Sequence, residues 1–151
     1  MLWPAGRRKG PTVPELDFLM LCDHVRAEGA IVHLVAAGID RIYVEQLPGV
    51  VPIGIAARVT FADAAVPVDG LPRAELDFQG PDDRTIVSFR GVSSARDVGA
   101  DAHPDLLRAI LAANIALPLQ DFGRHRLRFL VGGVLLKTVP FVVVDQPPER
   151  A

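Results

Sequence analysis

Hydrophobic and polar residues alternate with a period of two along most of this chain. In PIGIAARVTF, Ile53, Ile55, Ala57, Val59 and Phe61 fall on one face while Gly54, Ala56, Arg58 and Thr60 fall on the other, the pattern of a half-buried strand. RAELDFQ repeats it with Ala74, Leu76 and Phe78 inward and Arg73, Glu75, Asp77 and Gln79 outward, and TIVSFRGV offers Val87 and Phe89 to a core. RHRLRFLV sets Leu127, Phe129 and Val131 against Arg124, Arg126 and Arg128. The Gly132-Gly133 pair that follows is a hairpin signal, because both residues tolerate positive φ. The return strand is VLLKTVPFVVV, in which Pro140 has no N–H for a ladder and is expected at an edge or a bulge.

Two segments break the simple alternation. ELDFLMLCDHV is apolar on both faces and reads as a central strand, with a turn in VRAEGA and a returning strand in AIVHLVAAG. DAHPDLLRAILAA predicts a short inserted helix around 104–112. Pro104 suits the first helical position, Asp105 suits the positive end of the helix dipole, and Leu106, Leu107, Ile110 and Leu111 supply helical spacing. ANIALPLQD then gives a further strand. Seven or eight strands with one short helix describe a mainly β chain, a single-domain antiparallel β-sandwich of immunoglobulin-like kind, with a small barrel as the alternative. The loops EQLPGVVP, VPVDGLP and GPDDR carry turn residues and connect strands within one domain over 15–145, leaving flexible tails at 1–14 and 146–151.

Composition narrows the class without naming an activity. A chain of 151 residues, 50% hydrophobic and 23% charged, buries a core without a disulfide or metal staple. Its formal charge of −2 gives no overall pull toward nucleic acid or an anionic membrane. With one cysteine, Cys22, no intramolecular disulfide forms, and a reducing compartment is the simpler reading. The N-terminus lacks the apolar core of a secretory signal, and no run approaches the roughly 20 apolar residues that span a bilayer. A cytoplasmic location is expected.

Candidate chemistry is sparse. Cys22, Asp23 and His24 are adjacent, but on an extended chain Asp23 faces away from the other two, so nucleophile, base and orienter cannot converge. A Cys22–His24 pair survives, with His33 across from Cys22 if the hairpin turns about Ala27 and Glu28; buried structural cysteine is the plainer reading. Asp40 and Arg41 are adjacent charges in an apolar stretch after Gly38 and, with Asp23, are the ligand-binding candidates. Arg124, Arg126 and Arg128 form a basic stripe able to grip phosphates or carboxylates, though no aromatic residue interleaves with them to stack bases, so a solvated or cross-strand-paired face is expected. No phosphate loop or nucleophile elbow is present, and Asp77, Asp82 and Asp83 near one turn lack the spacing of a calcium loop.

CDHVRAEGAIVHLVAAGIDRI, with Asp23, Gly29, Gly38, Asp40 and Ile42, resembles the opening of an uncharacterised bacterial domain family, and LPLQDFGRHRLRFLVGGVLLKTVPFVV is similar to that family's closing hairpin. The resemblance covers most of Leu16 to Val144. It implies a small β-sandwich and brings no activity, cofactor or catalytic residue.

The functional expectation is therefore a non-enzymatic protein-binding or assembly module without cofactor or metal. GVVPIGIA and VPFVVV offer more apolar surface than one small sandwich needs, which points to a homodimer or a protein partner, and not to nucleic acid or membrane. A Cys/His-dependent enzyme and a small-ligand or anion-binding domain are the alternatives.

Overall fold

The computed structural model describes residues 14–28, 31–61, 73–91, 94–95 and 107–145, and among these the regular structure is strand throughout. In chain order the strands are β1 (Glu15–Cys22), β2 (His24–Glu28), β3 (Ile31–Val35), β4 (Arg41–Val44), β5 (Gly49–Phe61), β6 (Ala74–Gln79), β7 (Thr85–Gly91), β8 (Ser94–Ala95), β9 (Leu107–Leu119), β10 (Gly123–Val131) and β11 (Val134–Asp145). They form a four-stranded sheet in the order β1-β5-β9-β8, a five-stranded sheet in the order β4-β11-β10-β6-β7, and the two-stranded hairpin β2-β3. Every pairing is antiparallel except that of β4 with β11. The sheets are open and separate, so the barrel alternative does not hold.

The two larger sheets share one core. Period two aims Ile53, Ile55, Ala57, Val59 and Phe61 of β5 at Leu76 and Phe78 of β6, Leu127 and Phe129 of β10, and Phe141 and Val143 of β11, all buried in a single cluster. Each such large side chain removed from water is worth about 1.5–3 kcal/mol. Phe78 meets Phe89 and Phe141 edge-on, with ring centroids 6.1 and 6.3 Å apart. Gly132 and Gly133 take φ values of 58° and 80° and close the β10–β11 hairpin as the sequence predicts.

The expected helix around 104–112 is absent. Residues 104–106 lie outside the described residues, and 107–112 open β9, whose thirteen residues pair with β5 from Phe61↔Leu107 to Gly49↔Leu119. Local spacing was ambiguous here, since the segment also reads with period two. Ala109, Leu117 and Leu119 are buried on one face, with Leu111 and Ile115 packed against the same core. A helix would leave a thirteen-residue side of β5 unpaired, so the ladder overrides local preference. The expected tails, apart from Pro14, also lie outside the described residues.

Three prolines sit within long strands, each where a neighbouring strand has ended. Pro140 is paired with Arg126, but β4 joins β11 only from Val142 onward. Pro52 lies beyond Gly54, the last β5 residue that β1 reaches, and Pro118 lies beyond the short β8. A missing N–H is harmless on a side with no partner.

The hairpin β2-β3 lies on the outer face of the four-stranded sheet. Cys22, Val25 and Ala56 form a second buried cluster there, with Phe18, Val32 and Leu34 packed around it. Gly54 is what admits β2, since a Cβ on it would stand 2.7 Å from Cys22 Sγ, 3.1 Å from the His24 carbonyl carbon and 3.1 Å from Val25 N. Asn114 of β9 then holds the strand, its Oδ1 accepting from Val25 N–H at 2.9 Å and its Nδ2 donating to the Val25 carbonyl at 2.8 Å. Asn114→Ala strands both backbone groups of a buried residue and is expected to lower stability by about 1–3 kcal/mol. Gly54→Ala, an overpacking change against backbone, is expected to lower it by about 1–3 kcal/mol. Urea unfolding measures both, and a midpoint unchanged in either variant would contradict this account of the docking.

Candidate functional site

The chain bends at Asp23, so Cys22 ends one strand and His24 begins another; the continuous strand expected from ELDFLMLCDHV does not form. Cys22 is fully buried, whereas His24 is exposed. His33 lies opposite Arg26, because the hairpin turns beyond Glu28, and its Nε2 stands 3.2 Å from Glu28 Oε2. Neither imidazole is a hydrogen-bond partner of the thiol. Burial pushes the Cys22 thiol above its ordinary value, the Asp23 carboxylate adds to the rise, and a hydrogen bond from the His24 backbone N–H offsets only part of it. A raised thiol is a poor nucleophile.

The ligand candidates Asp23, Asp40 and Arg41 are brought to one region by backbone. Gly38 and Ile39 both donate to the Leu21 carbonyl, at 2.9 and 3.1 Å, and the Asp40 carbonyl accepts from Val142 N–H at 2.9 Å. This is where the chain leaves the β2-β3 hairpin, passes the end of β1 and joins the five-stranded sheet as β4. All three side chains are exposed, and none forms an ion pair with a described residue. They mark a crossover rather than a closed pocket.

The basic stripe is largely engaged. Arg128 Nη1 meets Asp77 Oδ2 at 3.3 Å, Ser88 Oγ donates to Asp77 Oδ1 at 2.9 Å, Arg126 pairs with Asp83, and Arg90 faces Glu75 at 3.7 Å. These pairs run across the outer face of β10, β6 and β7. Arg124 alone of the three makes no ion pair with a described residue. Asp77, which the sequence pattern places in solvent, is buried beneath its partners.

Two polar residues went unread in the sequence. Asn114 sits mid-strand among alanines, and nothing local announces its partner. His125 falls on the inward period of RHRLRFLV, which was the available signal. It is buried, stacked on Phe141 at 5.4 Å, and its Nδ1 lies 3.0 Å from the Gly123 carbonyl. A carbonyl only accepts, so Nδ1 carries the proton, and Nε2 is left buried without a partner. A polar cleft of about 240 Å³ lies between the β6–β7 turn and the β9–β10 connection, lined in part by Asp82, Arg84, Thr85, Gln120 and Asp121. Arg84 Nε there is 3.5 Å from Asp82 Oδ2. No group of three metal-ligating side chains occurs among the described residues.

The most exposed apolar side chains include Ile31 and Val35 of the hairpin, 62% and 56% exposed, and Val50, 65% exposed. The excess expected of GVVPIGIA and VPFVVV is mostly absorbed. Ile53, Ile55 and Ala56 are buried between core and hairpin, and Phe141 and Val143 are core residues of a strand paired on both sides.

Residues 17–144 match a family described as a family of unknown function (DUF6941). The chain belongs to DUF6941. No curated protein and no solved structure matches it. In this DUF6941 member no helix among the described residues is long and apolar enough to cross a membrane.

The raised Cys22 thiol carries a pH signature. The unfolded chain releases the thiol proton at lower pH than the folded chain, so this contribution is fully present below the ordinary thiol value of 9.0 and is lost as pH rises through the raised one. Urea midpoints are expected to fall above about pH 9 in the native sequence and to fall less in Cys22→Ala. Equal decline in both would refute the assignment. On the other sheet, Asp77→Ala is expected to lower stability by about 1–3 kcal/mol, since it leaves Arg128 and Ser88 without their shared acceptor. Arg124→Gln should stay within about 0.5 kcal/mol. Equal effects in thermal or urea unfolding would mean that the Asp77 network adds nothing.

Proposed function

We propose that this protein is a non-enzymatic protein-binding or assembly module of the cytoplasm, built on an immunoglobulin-like sandwich and acting through the free edge of β3. The fold reading is supported by strand order. β1-β5-β9-β8 opposite β11-β10-β6-β7 follows the A-B-E-D and G-F-C-C′ order of immunoglobulin domains, with β4 as the first strand's continuation onto the second sheet. Fully buried Phe78, Phe129 and Phe141 fill the centre where antibody domains place a disulfide and a tryptophan. The cytoplasmic reading rests on one buried free cysteine.

The observation that carries the function is the hairpin. Among the described residues β3 pairs on one side only, with β2, and Ile31 and Val35 stand exposed beside its open side. Long apolar edges are ordinarily blunted or covered, and strand addition is the recurring way of covering one. Protein rather than nucleic acid or membrane is the partner, since Arg126 and Arg128 are already paired within the chain.

A photoreactive residue at Val35 is expected to form an adduct with one discrete protein under native conditions, whereas the same residue at exposed Thr138 is not. Ile31→Lys combined with the probe should abolish the adduct without shifting the unfolding midpoint by more than about 0.5 kcal/mol. Equal labelling from both positions, or none from Val35, would discard the reading.

A further inference from the structure

We infer that the partner of the β3 edge is a second copy of this chain, joined antiparallel about a two-fold axis at His33 so that the two hairpins form one four-stranded sheet. The inference rests on the binding role proposed for that edge and names its occupant.

The backbone comes first. Asn114 takes up both the N–H and the carbonyl of Val25, so these groups point away from β3. Outward and inward residues alternate along an antiparallel ladder, and the two members of a directly opposed pair share one sense. Val25 is opposite Leu34 and Ala27 is opposite Val32, so the N–H and carbonyl groups of Leu34 and Val32 point out of the open side of β3. No described residue bonds them. Residues 32 and 34 lie one step either side of His33, so rotation about His33 sets Val32 of one copy against Leu34 of the other, twice, with hydrogen-bonding groups facing.

The side chains repeat this symmetry. The strand IVHLV has an aliphatic residue at each position one and two steps from His33. Val32 and Leu34 are half-buried toward the Cys22 cluster, while Ile31, His33 and Val35 are exposed. Under the rotation Ile31 of one copy lies beside Val35 of the other, so the two exposed apolar residues cover each other. A heterologous strand needs no such palindrome. Charge is compatible with the pairing, since Glu28 already holds Arg26 at 3.1 Å and His33 at 3.2 Å within each hairpin. A five-residue edge buries less than the roughly 1,200 Å² of a standard interface, so the dimer is a reversible one.

The register gives a test that composition cannot mimic. Ile31 and Val35 of one chain are four residues apart on one strand, roughly 13 Å, too far to pair with each other. Sedimentation equilibrium on the full chain is expected to show a concentration-dependent dimer. Ile31→Lys with Val35→Lys sets like charges opposite each other twice and is expected to weaken dimerisation about tenfold or more. Ile31→Lys with Val35→Glu sets opposite charges face to face and is expected to restore it. Both positions are exposed, and circular dichroism of each variant checks that the monomer folds. A native chain that stays monomeric, or a Lys/Glu variant no better than the Lys/Lys variant, overturns self-pairing. A monomer that still gives a discrete adduct from Val35 with a different protein overturns self-pairing alone, while a monomer with no adduct overturns the binding role as well.

Discussion

Strand β5 has protein on both of its faces, and much of the structure follows from how its two faces differ. Its odd residues from Ile53 to Phe61 are all apolar, four of the five larger than alanine, and form the floor of the core. On the even side Gly54 and Ala56 are small and buried, which lets the β2 backbone come within van der Waals distance of the sheet. A sandwich sheet ordinarily gives its outer face to water. Here half of that face belongs to a second small core around Cys22, and the other half is ionic, with Asp17 accepting from Arg58 Nε and Thr60 Oγ1 at 2.8 Å each. The hairpin is therefore attached to a sheet whose other face already lines the core, held in part by one asparagine and a patch of apolar contact.

That arrangement explains why the opening segment misleads when read alone. Cys22, Asp23 and His24 form a row of reactive residue types, yet Asp23 is a bend between strands whose N–H is spent on the Val35 carbonyl at 2.9 Å. The bend reverses the roles. The cysteine packs against a glycine, and the histidine on the next strand faces solvent. ELDFLMLC was legible as a strand apolar on both faces, and the reason proved to be the hairpin that covers its far side. Nothing in the local pattern announces that cover, because the residues that admit and hold it, Gly54 and Asn114, lie 32 and 92 positions beyond Cys22.

The same distinction between local and distant information divides the rest of the chain. Gly132-Gly133 needs only its own backbone freedom to specify a turn, and it was readable. The sequences of β6 and β10 alternate cleanly because each strand turns one row of side chains to the core. β9 was misread at its start because alanine and leucine at 107–112 satisfy both helical and strand spacing, and only its thirteen-residue partner decides between them. β4 went unrecognised as a separate strand for a related reason. Four residues carry little periodicity, and what makes RIYV a strand is its parallel register with Val142–Asp145, a hundred residues away. Of the candidate site, the alternation that puts Arg124, Arg126 and Arg128 on one face was legible, whereas the burial of Asp77 beneath Arg128 and Ser88 was not.

Among the described residues, much of the polar chemistry is spent within the chain. Asp77 holds Arg128, Asp83 holds Arg126, Asn114 acts as a substitute strand partner, and His125 Nδ1 is turned to a backbone carbonyl. Without a partner among the described residues are the outward N–H and carbonyl groups of Val32 and Leu34, flanked by two exposed aliphatic side chains. Unpaired backbone along an apolar edge costs solubility and risks non-specific association, which is the physical ground for proposing that a partner strand covers this one.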